Sequence, residues 1–272
     1  MNNRKPTLAV LIPFYGPLDD LRNSLQSLAQ EIQPHDVVIV DDGNPTPISI
    51  PRDWHARVTV VRHERNRGIT AALNTGLEYI LRAGYSYVAR MDAGDLSIRG
   101  RLDKQVAFLE RSPECMLLGS YALFVAEDGR SLFTFKPPSL SREIYRALHR
   151  KNCFCHPTVM FRADVFAEVG QYRDIYPAAE DYDLFFRIAQ RFSTAIIPEV
   201  LLEYKVGAAS ISSRRRRAQV KSRLRIVLAH FDPLLRQSYI GMIEGMISMI
   251  LPRSATTRLH ELRGLLGTSG VR

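Results

Sequence analysis

Asp92 and Asp95 follow the apolar run Tyr85-Ser86-Tyr87-Val88-Ala89-Arg90-Met91, and a Glu180-Asp181 pair opens a later amphipathic stretch. The run reads as a strand, which places Asp92 just past its C-terminal end. In an open α/β sheet, ligands bind at that edge. Carboxylates there suit a divalent cation carrying a diphosphate. A second acidic group on another element could take a proton from a hydroxyl. Together they describe transfer of a group off a nucleotide diphosphate. Taken alone, Glu180-Asp181 has a plainer reading as helix N-terminal acids that complement the macrodipole.

The elements that must position these residues follow from periodicity. Leu8 to Ile12 is a continuous apolar run closed by Pro13, and Asp36 to Val40 is a second, ending at Asp41-Asp42-Gly43. Both read as buried parallel strands, with Val58 to Val61 as a third. Leu18 to Ile32 and Ile69 to Leu81 carry helical spacing between them. This alternation predicts a right-handed, mostly parallel sheet flanked by helices. After Arg101 the pattern changes. Leu102 to Leu109 reads as a helix, Met116 to Val125 and Leu132 to Phe135 as a hairpin turning at Asp128-Gly129, and Ser141 to His149 as a helix. Pro157 to Phe161 reads as a strand, Asp164 to Val169 as a short helix ending at Gly170, and Asp181 to Arg191 as an amphipathic helix. Ala195 to Ile197 and Leu201 to Val206 read as two short strands. Helical sequence runs from Ser212 onward, with Tyr239 to Leu251 rich in Ile and Met.

The chain has 272 residues, 46% hydrophobic and 24% charged, which describes a globular protein. No leader-like segment precedes the first strand, and no apolar run nears the roughly 20 residues that span a bilayer. A cytoplasmic protein is expected. Cys115, Cys153 and Cys155 read as unpaired thiols, because Cys153-Phe154-Cys155 lacks zinc-ligand spacing and a second pair. The net charge is +9, and from Lys205 to Phe231 there are eight Lys or Arg and no Asp or Glu. Such a block attracts phosphate, or forms a solvated helix face.

The turn Pro13-Phe14-Tyr15-Gly16-Pro17 has neither the spaced glycines of a dinucleotide site nor a P-loop, and no serine nucleophile elbow occurs. Four polar features remain at successive strand ends. Tyr15 could stack on a base. A carboxylate of Asp41-Asp42 could accept from a base N–H. Asn66-Arg67-Gly68 precedes a helix whose N-terminus favours phosphate. Asp92 and Asp95 complete the edge. Each alone is ordinary turn or cap chemistry; their shared placement is not.

These motifs, in this order, resemble family 2 glycosyltransferases, inverting enzymes of the GT-A fold. The resemblance rests on Leu8 to Gly16, Val40-Asp41-Asp42-Gly43-Asn44, and Asn66-Arg67-Gly68 through Ala72, Asn74 and Gly76. It continues through Met91-Asp92-Ala93-Gly94-Asp95, Arg101-Leu102 with Lys104-Gln105, His156-Pro157-Thr158-Val159-Met160 and Glu180-Asp181-Tyr182-Asp183-Leu184, covering about residues 7 to 213. It implies an α/β GT-A catalytic region at 1–212, with a nucleotide-binding half to about 100, and a basic, amphipathic helical region at 213–272. It implies that Pro13, Tyr15, Asp41, Asp42, Asn66, Arg67, Gly68, Asn74 and Asp92 bind a nucleotide-sugar, most often a UDP-sugar. Asp181 would be the general base, with Glu180 beside it orienting the acceptor. Asp92 and Asp95 would hold Mg²⁺ or Mn²⁺ with the diphosphate. His156 could ligate that metal, contact the acceptor or cap its segment.

Two departures bear on the metal. Gly94 stands where relatives carry an aspartate, and Gly207 where they often carry a histidine. Lys205 and Arg214 are the alternative source of positive charge for the diphosphate or acceptor. The implied acceptor is a glycan, often linked to a polyprenyl diphosphate in O-antigen, capsule or exopolysaccharide synthesis. The tail is either a peripheral element on an anionic membrane, at the inner face of the cell membrane, or a set of helices packed on the core or across a homodimer. A nucleotidyltransferase would need a basic Gly-rich first loop, which is missing. A non-catalytic sugar-nucleotide binder would show no turnover. No nucleic-acid motif accompanies the basic block, so no nucleic-acid partner is expected.

Overall fold

The computed structural model describes residues 8–48, 57–207 and 216–250. A single nine-stranded mixed sheet runs through it, in the order β3-β2-β1-β4-β8-β6-β9-β5, with β7 paired to β6. Its first half is the parallel part: β1 (Leu8–Phe14), β2 (Asp36–Asp41), β3 (Val58–Arg62) and β4 (Tyr87–Arg90). The second half comprises β5 (Leu96–Ser97), β6 (Cys115–Ala126), β7 (Ser131–Phe135), β8 (Met160–Arg162) and β9 (Ser193–Val206). Here β8 runs antiparallel to both β4 and β6, while β6 and β9 are parallel.

Strand alternation divides the core between two faces. Val10, Ile12 and Ile39 pack with α1 (Leu18–Leu28) and α3 (Arg101–Arg111). Leu11, Val38 and Val40 pack with α2 (Ile69–Arg82), α4 (Ser141–Leu148) and α6 (Glu180–Ala189). A short α5 (Val165–Val169) ends at Gly170, whose φ of 73° favours glycine.

Three local expectations change. The first helix stops at Leu28, leaving Ile32 67% exposed. Glu31 instead accepts hydrogen bonds from the Gly100 and Leu102 N–H groups, capping the start of α3. The stretch at Pro157 opens as a 3-10 turn, His156–Thr158, before the strand begins at Met160. The two short strands near the end of the sheet are one, β9. Between its pairings Ser120–Ile197 and Ala122–Leu202 it bulges, which is how it accommodates Pro198. The two-residue strand β5 had no periodic signal.

The C-terminal region contributes α7 (Arg216–Ala229) and α8 (Arg236–Ile250). Both pack on the core. His230 stacks on Phe186 with centroids 4.2 Å apart, Ser238 Oγ meets His149 Nδ1 at 2.8 Å, and Arg150 pairs with Glu244. Gly241 lies so close to the end of α4 that an added Cβ would fall 2.0 Å from the His149 carbonyl oxygen. Gly241→Ala is therefore expected to lower stability by about 1–3 kcal/mol, as overpacking does. Urea unfolding measures this, and an unchanged midpoint would show that α8 does not depend on that contact.

Candidate active site

The C-terminal ends of β1 and β2 and the loop before α2 are tied into one edge. Asp41 is fully buried, and its carboxylate accepts from the Asn44 N–H at 2.8 Å and from Arg62 at 2.9 Å. Asn44 in turn exchanges two hydrogen bonds with the Gly16 backbone, fixing the turn that carries Tyr15. Asp42 accepts from the Arg67 and Gly68 N–H groups, each at 2.8 Å, and contacts His63 Nδ1 at 2.7 Å. It thereby occupies donors at the start of α2 that a phosphate would otherwise find. Gly43 has φ 74°, and an added Cβ would sit 2.4 Å from the Arg65 backbone, so only glycine lets the two loops meet. Pro13 is buried in β1. Tyr15 is 58% exposed, and Asn66 and Arg67 are exposed as well. Asn74 exchanges a pair of hydrogen bonds with the Tyr172 backbone, 2.9 and 3.1 Å, and so bolts α2 to the loop before α6.

The acidic turn after β4 is built around buried Ser24. Its Oγ accepts from the Gly94 N–H at 2.9 Å and donates to backbone carbonyl oxygen of this turn, 2.8 Å from Asp95 O. Asp95 is buried. One carboxylate oxygen accepts from the Lys205 N–H at 3.0 Å, and the other has no partner among the described residues. Burial, then the nearby Asp92 charge, raises its pKa well above the ordinary carboxylate range. Asp92 is about a third exposed and forms an ion pair with Arg90. Lys205 reaches Asp20 at 3.1 Å. Gly94 has φ 103°, and its open side faces the Asp20 carboxyl at 3.7 Å from an added Cβ.

Across from these, Glu180 and Asp181 begin α6, just after Ala178 at φ 58°. Glu180 Oε2 is buried without a partner among the described residues. Burial, then the Asp181 charge, pushes the Glu180 carboxyl up to about 7. Asp181 is also raised, mainly by burial, and accepts from Asn152 Nδ2 at 2.8 Å. The third acid of that turn, Asp183, is engaged by Arg173 and Arg187 and belongs to the scaffold. His156 Nε2 lies 2.8 Å from Tyr172 Oη. Burial, then the Arg90 charge, holds His156 well below its ordinary pKa and hence neutral.

Arg90 joins the two acidic sets. It is buried, its charge acts on Asp92, Asp95, Glu180, Asp181 and His156, and its Nε and Nη1 have no partner among the described residues. Burial works against that charge, and Asp92, Tyr172 and Asp95 together more than restore it. Fully buried Arg101 stands behind, donating to the Arg90 carbonyl at 2.7 Å. Burial draws Arg101 down to about 10.

The structure thus brings together Asp92, Asp95, Lys205, Glu180, Asp181 and His156. It commits Asp41 and Asn74 to internal hydrogen bonds. Arg214 lies outside the described residues, as does Ser210-Ile211-Ser212. Sequence reasoning missed Arg90, Asn152, His63 and Ser24. Arg90 had a signal: it is the one charge in an apolar strand, two residues before Asp92 and so on the same side by strand alternation.

Comparison with known proteins fits this geometry. The fold is shared with solved glycosyltransferase structures. A mannosyltransferase from Pyrobaculum calidifontis, solved with GDP-Man and Mn²⁺, superposes with a TM-score of 0.62 at 18% identity, over 99% of this chain and 77% of that one. S. aureus TarS 1-349 in complex with UDP-GlcNAc gives 0.60 at 16% identity, over 90% and 71%. Both have the GT-A fold, as does this chain. The family model for glycosyl transferase family 2 matches residues 9–170. The amylovoran biosynthesis glycosyltransferase AmsE of Erwinia amylovora is 31% identical over 94% of this chain and 95% of its own length. An uncharacterized glycosyltransferase of Haemophilus influenzae is 29% identical over 89% and 92%. The chain belongs to glycosyl transferase family 2, and it is a glycosyltransferase.

Removing the shared cation tests its structural weight. Arg90→Met leaves buried carboxylates uncompensated and is expected to lower stability by about 3–5 kcal/mol, with Arg90→Lys losing less. Equal urea midpoints for wild type and Arg90→Met would remove Arg90 from the centre of the site.

Proposed function

We propose that this glycosyltransferase moves a sugar, with inversion, from a UDP-sugar to a hydroxyl of a glycan acceptor during surface-polysaccharide synthesis, with the acceptor lipid-linked. The observation that carries the reading is the Glu180–Asp181 pair, raised in pKa and one oxygen short of a partner, facing the same buried arginine as Asp92 and Asp95. AmsE, a glycosyltransferase of amylovoran biosynthesis, supports the pathway class, and the TarS complex with UDP-GlcNAc supports the donor class.

In this reading Tyr15 stacks on the base. Asp42 acts by shaping the loop that presents Asn66, Arg67 and Gly68, and Asp41, Pro13 and Asn74 hold that edge. The Asp181–Glu180 carboxylates take the acceptor O–H proton as its oxygen bonds to the anomeric carbon. The bond from that carbon to the diphosphate breaks on the opposite face, and the electron pair leaves with the diphosphate. Lys205 and Arg90 supply fixed positive charge on the leaving side. Asp92 and the unpartnered oxygen of Asp95 would hold a divalent ion. No cluster of three or more His, Cys, Asp or Glu suited to a metal occurs among the described residues. Mg²⁺ or Mn²⁺ held there would offset diphosphate charge. His156, neutral and bonded to Tyr172, faces the acceptor side.

Three measurements test this. Asp181→Asn is expected to reduce kcat by roughly 10²–10⁴-fold, the range for a general base, with UDP-sugar binding kept. Turnover of a UDP-sugar with an extracted lipid-linked acceptor reads it, and wild-type rates in the variant reject Asp181. The pH profile should rise through about 7 as the Glu180 carboxyl ionises. Stability should move the opposite way. Glu180 stays protonated when folded but ionises near 4.5 when unfolded, so stability falls as pH climbs from 4.5 to about 7 and levels above it. Glu180→Gln should flatten both trends. Exhaustive EDTA treatment should abolish turnover and Mn²⁺ should restore it; full activity in EDTA assigns the diphosphate charge to Lys205 and its basic neighbours instead.

A further inference from the structure

Helix α8 is amphipathic in the reverse of the usual sense. Its inward face carries small residues: Ser238 and Gly241 are buried against the end of α4, and Gly245 approaches Leu224 of α7. Its outward face carries large apolar ones. Tyr239, Ile243, Met246 and Ile250, spaced i, i+4, i+7 and i+11, form one exposed stripe, with Ile250 82% exposed. Between Gln237 and Ile250 the only charged residue is Glu244, and it is turned to Arg150. A solvated helix would place charges along that face; between Tyr239 and Ile250, about three turns, this one places none. The apolar surface continues at the turn between the helices, where Leu234 is 91% exposed.

The surroundings are cationic. Arg217 and Lys221 are exposed on α7 and share a face with exposed Leu228. Arg216, Arg223, Arg225 and Arg236 add to the hairpin's charge, against Asp232 and Glu244. A second copy docked on this face would bring two cationic hairpins together. A bilayer with anionic headgroups instead matches both properties, taking the apolar stripe into its interface and the basic residues at its surface. Helix α8 has 15 residues, about 22 Å at 1.5 Å each, too short to cross a hydrocarbon core of about 30 Å. Among the described residues no helix is long and apolar enough to span.

We propose that the outward face of α8, through Tyr239, Ile243, Met246 and Ile250, lies in the plane of an anionic membrane and seats the enzyme there. This reading is independent of donor and acceptor identity, and its test needs no turnover. The full chain is floated with vesicles of phosphatidylcholine alone or with added phosphatidylglycerol. Binding is expected on the mixed vesicles and weak binding on the neutral ones. Ile243→Glu with Met246→Glu should weaken it roughly tenfold or more at an unchanged melting temperature, and Arg217→Glu with Lys221→Glu should remove its salt-sensitive part. Should the first pair impair folding, Ile250→Glu at the exposed helix end replaces it. The proposal is overturned by no binding to the mixed vesicles, by equal binding to both kinds, or by variants that bind as wild type. A dimer in sedimentation that the Glu variants split, without vesicle binding, would assign the face to a second copy.

Discussion

A guanidinium buried at the end of β4 sets the terms for the whole site. Arg90 is tolerable in the interior only because Asp92 pairs with it and more carboxylates lie around it. The dependence runs both ways. Asp95, Glu180 and Asp181 are all raised by burial, and Arg90 is a charge that holds each of them back down. Burial still wins at two of them: Asp95 stays well above the ordinary carboxylate range and Glu180 at about 7, so both keep protons, and a divalent cation arriving with a diphosphate would displace the one on Asp95.

The donor edge rests on a different constraint, that backbone N–H groups at loop and helix ends need acceptors. Asp42 supplies two, and Asn44 closes the neighbouring turn. Gly43 allows these loops to approach because any side chain there would strike the Arg65 backbone. The result is a rim whose internal polar groups are satisfied, leaving Tyr15, Asn66 and Arg67 as the exposed groups. Pre-organisation of this kind lowers the ordering entropy that a ligand must overcome.

Legibility in the sequence followed the range of the interaction. The parallel half, β1 to β4 with α1 and α2, announced itself through apolar runs and helical spacing, because each element buries a periodic face of its own. The strand-end placement of Asp42, Arg67, Asp92 and Asp95 came with it. What hid were contacts made across the fold. Glu31 looked like the end of a helix, yet it caps α3. Asp41 looked like a base-reading carboxylate until Arg62 and Asn44 were seen on it. Asn152 had no local pattern, since its partner Asp181 is brought to it by tertiary packing. The bulge in β9 was concealed by Pro198, which in a continuous ladder would have ended the strand.

The site also divides along the chain in a way that bears on specificity. The family match ends at residue 170, so the donor edge and the acidic turn lie inside it, whereas Glu180, Asp181 and Lys205 lie beyond. Several contacts fix the placement of α6. Asp183 is held by Arg173 and Arg187, the Tyr182 hydroxyl donates to the Leu148 carbonyl, Phe186 is covered by His230 of the α7–α8 turn, and Ser222 of α7 bonds to Pro177 O just before the helix. Glu180 and Asp181 are therefore held in part by the C-terminal hairpin, whose outer face is the exposed apolar stripe. One element thus links the position of Glu180–Asp181 to the face proposed to lie on a membrane. A hydroxyl presented from a lipid carrier at that surface would approach the pair along a direction that α6, α7 and α8 together define.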